Sequence, residues 1–181
     1  MSLTPSFYTF NEIVTLKVEA PDNLLGPYLT NKGKDSVDIH GKTGIPIGSI
    51  RKMRSGETKA IPAIELYKIS LVTKDAIGVV LKEIYPSLKL VQTDKVILTN
   101  IKSDTTDLGK VIMHLEDYNL DNLAYRTGIK RGRLQRLTKL DSTKILSHEL
   151  YLIEMASNKE PGELFISLFA DIKLHIQGEE K

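Results

Sequence analysis

Apolar residues recur through this chain at helical intervals, broken by short polar turns. Leu108, Ile112 and Leu115 share one face, a spacing that predicts a helix of about three turns. "LDNLAYRT" (120–127) follows as a short second helix, with Asn119 placed to cap it. Gly128 ends that helix, because a glycine just past a helical run supplies the left-handed turn that a side chain resists. A third helix carries Leu134 and Leu137 on its buried face and Arg131, Arg133 and Arg136 elsewhere. "SHELYLIEMAS" and "PGELFISLFADI" complete a set of five, the last with Pro161 at its start. An earlier stretch reads in the same way: "LLGPYLTN", "SVDIHGKT", "PIGSIRKMRS", "IPAIELYKISLV" and "AIGVVLKEIY", with Pro46 in the first turn of the third.

The two stretches are copies of one pattern. Thr43-Gly44-Ile45 matches Thr127-Gly128-Ile129, and Glu65-Leu66-Tyr67 matches Glu149-Leu150-Tyr151, each pair 84 residues apart. Ile50 and Met53 fall opposite Leu134 and Leu137 in the same register. Further on, "VVLKEIYPSLKL" (79–90) lies against "ELFISLFADIKL" (163–174). Upstream, "NLLGPYL" matches "TDLGKVI" after a shift of one residue. Two long copies point to duplicated domains rather than a solenoid of many short repeats. The predicted organisation is an extended segment over 1–20, a first unit over 21–90, a linker over 91–107 and a second unit over 108–176. The β-branched stretches "IVTLKV" (13–18) and "KVILTNI" (95–101) could form a small two-stranded ribbon, extended linkers or frayed helices.

Composition narrows the class. A chain of 181 residues holds one ordinary domain or two small ones. Cysteine is absent, which excludes disulfides, thiolate zinc sites and a cysteine nucleophile, and fits a reducing compartment. No apolar run approaches the roughly 20 residues of a membrane span, and "MSLTPSFYTF" lacks the features of a signal peptide. A soluble, cytoplasmic protein is expected, with no membrane partner. The net charge of +2 is close to neutral, so its distribution matters more than its size. Between Lys42 and Lys59 five basic residues face Glu57 alone. Between Arg126 and Lys144 seven basic residues face Asp141 alone. Both clusters coincide with the repeated segment.

A helix, a Thr-Gly-Ile turn and a helix with spaced aliphatics resemble the lambda-repressor-like helix-turn-helix domains of the Cro and Xre type. In the second copy the resemblance is carried by Leu123, Ala124, Thr127, Gly128, Ile129, Leu134 and Leu137; in the first, by Ile39, Thr43, Gly44, Ile45, Ile50, Met53 and Gly56. It covers residues 22–90 and 105–176. The implied fold class is mainly α, two tandem five-helix units in one chain. The implied activity is sequence-specific binding of double-stranded DNA by a transcriptional regulator, because the second helix of such a pair projects into the major groove, where base edges are distinguishable.

By that resemblance the groove-facing positions of the second copy are Lys130, Arg131, Gly132, Arg133 and Arg136, with Arg131 and Arg133 suited to bidentate contacts with guanine. Lys139 and Lys144 are implied phosphate contacts. In the first copy the positions hold Pro46, Ile47, Gly48, Ser49 and Lys52. Ile47 suits a thymine methyl and Ser49 a base or phosphate, while Arg51, Lys52 and Arg54 suit the DNA backbone, which positions without specifying. The second copy is therefore expected to be the main reader. The chain departs from the family at the start of the second helix, where Ser36 and Leu120 replace the usual Gln. It also departs where His40 and Gly41 stand in the first copy's second helix, and where Gly56 becomes Leu140.

No other chemistry is indicated. His40, His114, His148 and His175 lie far apart, so no metal site is expected. "GKTGIPIG" lacks the ending of a phosphate loop, and no nucleophile elbow occurs, so neither a cofactor nor an enzyme activity is expected. Tyr67 and Tyr151 read as core aromatics. A second functional class remains open: a protein–protein module on the same scaffold, with DNA reading lost at least in the first unit, or a homodimer.

Overall fold

The structure, a computed structural model, describes residues 20–92, 108–109, 119–139 and 145–175, and they are mainly helical. The candidate strands at 13–18 and 95–101, most of the predicted helix at 108–115, Leu140 and Lys144 lie outside these residues. Five helices form the first unit: α1 (Leu25–Asn31), α2 (Ser36–Thr43), α3 (Ile47–Ser55), α4 (Ala63–Thr73) and α5 (Ile77–Ile84). Among the described residues four lie in the second: α6 (Leu120–Thr127), α7 (Arg131–Lys139), α8 (Ser147–Ala156) and α9 (Glu163–Phe169).

The 84-residue offset holds in three dimensions. α2 and α6 start and end at equivalent positions, as do α3 and α7. Asp35 and Asn119, also equivalent, each cap a helix by accepting hydrogen bonds from two amides of its first turn. At the other end Gly44 (φ 71°) and Gly128 (φ 72°) turn the chain through the left-handed region. The hydroxyl of Thr43 donates back to Ile39 O and accepts from Ile45 N at 3.1 Å, and Thr127 repeats both bonds with Leu123 and Ile129. A threonine before the glycine thus ties the helix end to the next residue in both units. Two of the expected helix starts shift slightly: Pro46 caps α3 from outside, and α9 begins two residues after Pro161.

α2 packs on α3 and α4, and α6 packs on α7 and α8 in the same way. Leu25, Leu29, Ile39, Ile50, Leu66 and Leu81 are sealed in the first unit, Leu134, Leu150, Ile153 and Phe165 in the second, within one continuous apolar cluster. Each such side chain contributes roughly 1.5–3 kcal/mol by leaving water. Tyr67 and Tyr151 are buried as expected.

The units meet through contacts that the repeat makes reciprocal. Pro62 and Leu146, equivalent residues, form an antiparallel bridge. Around it Ala63 N donates to Ile145 O at 3.0 Å, and Ser147 N, the equivalent of Ala63, donates to Ile61 O at 2.7 Å. The segments after the fifth helices cross over in the same manner. Val91 N donates to Arg126 O, and its equivalent His175 N donates to Lys42 O, both at 2.8 Å. Gly78 and Gly162, again equivalent, touch one another. Contacts in which residue i meets j′ while i′ meets j define an isologous interface, here contained within one chain. α4 and α8 lie against each other at its centre. α8 is buried on nearly every side, as a helix enclosed by its own unit and its neighbour must be.

Candidate nucleic-acid interface

The candidate surface is the outer side of α3 and α7. In α7 the aliphatic spacing turns Leu134 and Leu137 inward, and Ile129 seals the preceding turn. Lys130, Arg131, Gly132, Arg136 and Lys139 are exposed, while Arg133 is half-buried. No ion-pair partner lies near Lys130, Arg136 or Lys139 among the described residues. These three cations are exposed, and no described carboxylate compensates their charge.

Arg131 and Arg133 have carboxylate partners of different strength. Arg131 Nε stands 2.6 Å from Asp121 on α6, and both side chains are about 40% exposed (42% and 40%). An ion pair this open is worth about 0–1 kcal/mol, so Arg131 can exchange it for another acceptor at small cost. Arg133 donates through Nε to Glu149 Oε1 at 3.0 Å and through Nη2 to Oε2 at 2.9 Å. Glu149 is only 10% exposed and also accepts from Leu146 N at 3.0 Å. Releasing Arg133 would strand a buried carboxylate at a cost of several kcal/mol. The pairing holds the Arg133 guanidinium above its usual range. Arg133 thus behaves as a strut between α7 and α8.

Arg126 also needs correction as a surface charge. It is 5% exposed, and its guanidinium donates to Ala156 O at the end of α8, where a cation meets the negative end of the helix dipole. The outward charge of the second cluster is smaller than the sequence count by this residue.

In α3 Gly48, Ser49, Arg51 and Lys52 are exposed and Ile47 is half-buried. Lys52 pairs with Glu57 at 3.2 Å. Arg54 is half-buried and reaches back to Lys34 O and to Thr30, so it ties α3 to α1 and its following turn. His40 does not occupy a packed position; it is exposed, with Nδ1 2.7 Å from Ile45 O. A carbonyl only accepts, so Nδ1 carries the proton there.

Comparison of the units column by column exposes a coupled change. Where the second unit has Asp121 and Arg131 as an ion pair, the first has Val37 and Ile47. Both positions are charged in one unit and aliphatic in the other. This paired difference is present in the sequence and points to the contact. The Arg133–Glu149 strut has no such counterpart, since Ser49 and Glu65 occupy its positions.

One position is shared where the charges are not. Gly48 and Gly132 are equivalent, both second in their helices and both exposed. A Cβ at either would meet nothing within 4 Å, and neither glycine has a positive φ. Glycine in a helix costs up to about 1 kcal/mol relative to alanine. Among the described residues no contact accounts for that cost in either unit.

The chain matches no protein-family model, no characterised protein and no solved structure. Among the described residues no helix is long and apolar enough to cross a membrane.

Proposed function

We propose that this chain is a cytoplasmic DNA-binding transcriptional regulator built from two lambda-repressor-like five-helix units joined as an internal pseudo-dimer. What supports this above all is Gly48 and Gly132, exposed at the start of α3 and α7, where among the described residues nothing stands within 4 Å of an added Cβ. Lys130, Arg136 and Lys139 supply the cations for a phosphate backbone, and Arg51 and Lys52 supply fewer in the first unit. Arg131 is the base reader of choice, since its exposed pair with Asp121 is weakly held. The second unit carries the greater part of the contact.

Alanine at these glycines separates a binding role from a structural one. Gly132→Ala is expected to raise stability by a few tenths to about 1 kcal/mol, because helix propensity improves and nothing clashes. The same variant is expected to weaken duplex binding, measured by fluorescence anisotropy at low salt. A variant that gains stability and binds duplex DNA as tightly as the parent would contradict the reading. A partner-protein role is the second reading, favoured by Ile47 and Val37 in place of the second unit's charge pair. It calls for a surface where charge reversal on α7 leaves binding intact.

A further inference from the structure

A cleft of about 410 Å³ opens on the first unit between α1, the start of α2 and the end of α3, lined by Gly26, Thr30, Ser36, Arg51, Arg54 and Ser55 among others. Arg51 and Arg54 both line it, and among the described residues no carboxylate does. Arg54 is fixed in place: Nη1 donates to Lys34 O at 2.8 Å and Nη2 to Thr30 Oγ1 at 3.3 Å. Both acceptors are neutral, so they set its orientation without compensating its charge, and no described carboxylate pairs with it. Its backbone is fixed as well, since a Cβ on Gly26 would stand 2.2 Å from Arg54 O and α1 therefore meets α3 in backbone contact. Arg51 lies one turn earlier on α3, exposed and without an ion pair among the described residues. The neighbouring acids are occupied elsewhere. Asp35 caps the amides of Val37 and Asp38, and Asp38 pairs with Lys42 at 2.6 Å and Lys34 at 3.5 Å.

We propose that this cleft binds a phosphate group, gripped between the guanidinium groups of Arg51 and Arg54 with the Ser36 hydroxyl as a further donor. Thr30 and Ser55 are already committed, donating to Gly26 O and Lys52 O. Two separate guanidinium forks call for an anion with several oxygens and more than one direction of approach, which a phosphate offers and a single carboxylate does not. The site belongs to the first unit alone. At the positions of Ser36, Arg51, Arg54 and Ser55 the second unit has Leu120, Gln135, Thr138 and Lys139, with Thr138 buried. The phosphate can come from a DNA backbone or from a small phosphorylated molecule, whose size the cleft also suits. Arg51 also serves as a backbone contact in the proposed function, and because the first test contains no DNA the two readings can fail separately.

Titration of the full chain with inorganic phosphate, followed by amide NMR shifts, is expected to give a saturable response at Gly26, Thr30, Ser36 and Arg51. The double variant Arg51→Gln/Arg54→Thr carries the second unit's residues and is expected to lose at least tenfold in affinity, on the order of one factor of ten per 1.4 kcal/mol. Arg51→Gln alone removes an exposed side chain with no ion pair among the described residues, and is expected to lose severalfold with no change in thermal stability. A response that fails to saturate, or that is the same in both variants as in the parent, overturns the proposal. Two further arms identify the source. Weaker binding of a random-sequence duplex by Arg51→Gln, with inorganic phosphate competing, assigns the site to the DNA backbone. Unchanged duplex binding with the phosphate response still lost in the variant assigns it to a free phosphorylated molecule.

Discussion

Gly162→Ala is expected to destabilise the protein by on the order of 3 kcal/mol and to loosen the contact between its two units. Gly162 lies at φ 96°, outside the range that a side chain tolerates, and caps the start of α9. An added Cβ would stand 2.7 Å from Ile77 Cγ2 and 2.8 Å from Gly78 N. Backbone strain of about 1–3 kcal/mol and overpacking of about 1–3 kcal/mol act together at one site. The neighbour cannot yield easily, because Gly78 sits within α5 and its own Cβ position is blocked by Pro161 O at 2.1 Å. For a chain of this size the midpoint of thermal unfolding should fall by roughly 10 °C. Gly132→Ala is the internal control, with the opposite sign expected. Equal, small effects at both glycines would remove the close contact between the units from the account.

The second large effect is on pH dependence. Glu154 is fully buried on α8, with Oε2 accepting from Gly162 N at 2.9 Å and Oε1 from Leu164 N at 2.8 Å. Burial pushes its carboxyl up to about 7, and the backbone N–H groups at the start of α9 only partly offset this. A carboxyl whose proton is held more tightly in the folded state favours folding below its unfolded value of about 4.3. That advantage is lost as pH rises through about 7, because the unfolded chain then releases the proton first. The difference amounts to on the order of 3 kcal/mol. His148 acts in the opposite sense. It is buried with Nδ1 unpartnered, and burial holds its pKa below the usual imidazole value, against Glu149 and with Arg133. Its contribution is lost as pH falls below about 6.5. The two slopes overlap, so the informative quantity is the stability of the parent minus that of Glu154→Gln. This difference is expected to fall between about pH 4.5 and 7. Parallel profiles for the two proteins would show that Glu154 ionises as it does in the unfolded chain.

Much of the fold is legible in the repeat. The Asn119 cap, the Gly44 and Gly128 turns, and the buried Ile50, Met53, Leu134 and Leu137 are local features, set by residues within a turn or two of each other. Charges are legible in the sequence mainly as counts, with Val37 and Ile47 opposite Asp121 and Arg131 as the one further signal. Arg126, Arg131 and Arg133 look alike there, yet one is buried against α8, one rests loosely on Asp121 and one is locked to Glu149. Their partners lie on other helices, beyond the reach of periodicity. Glu149 stands out as part of the repeated Glu-Leu-Tyr, but its role depends on an arginine that the first unit lacks. The reciprocal contacts of 61–63 with 145–147, and of Val91 and His175 with the opposite units, follow from the duplication only once the units are in place.

The most direct measurement is the salt dependence of duplex binding by the parent and by Lys130→Glu/Arg136→Glu/Lys139→Glu. Each phosphate contact contributes a slope of about −0.9 in log affinity against log salt concentration. With these three residues, and with Arg51 and Lys52 as further contacts, a slope between roughly −3 and −5 is expected for the parent. The triple variant is expected to bind at least tenfold more weakly, with a slope shallower by about 3. No complex at low salt, a complex indifferent to salt, or a triple variant indistinguishable from the parent would contradict a DNA-binding role for α7.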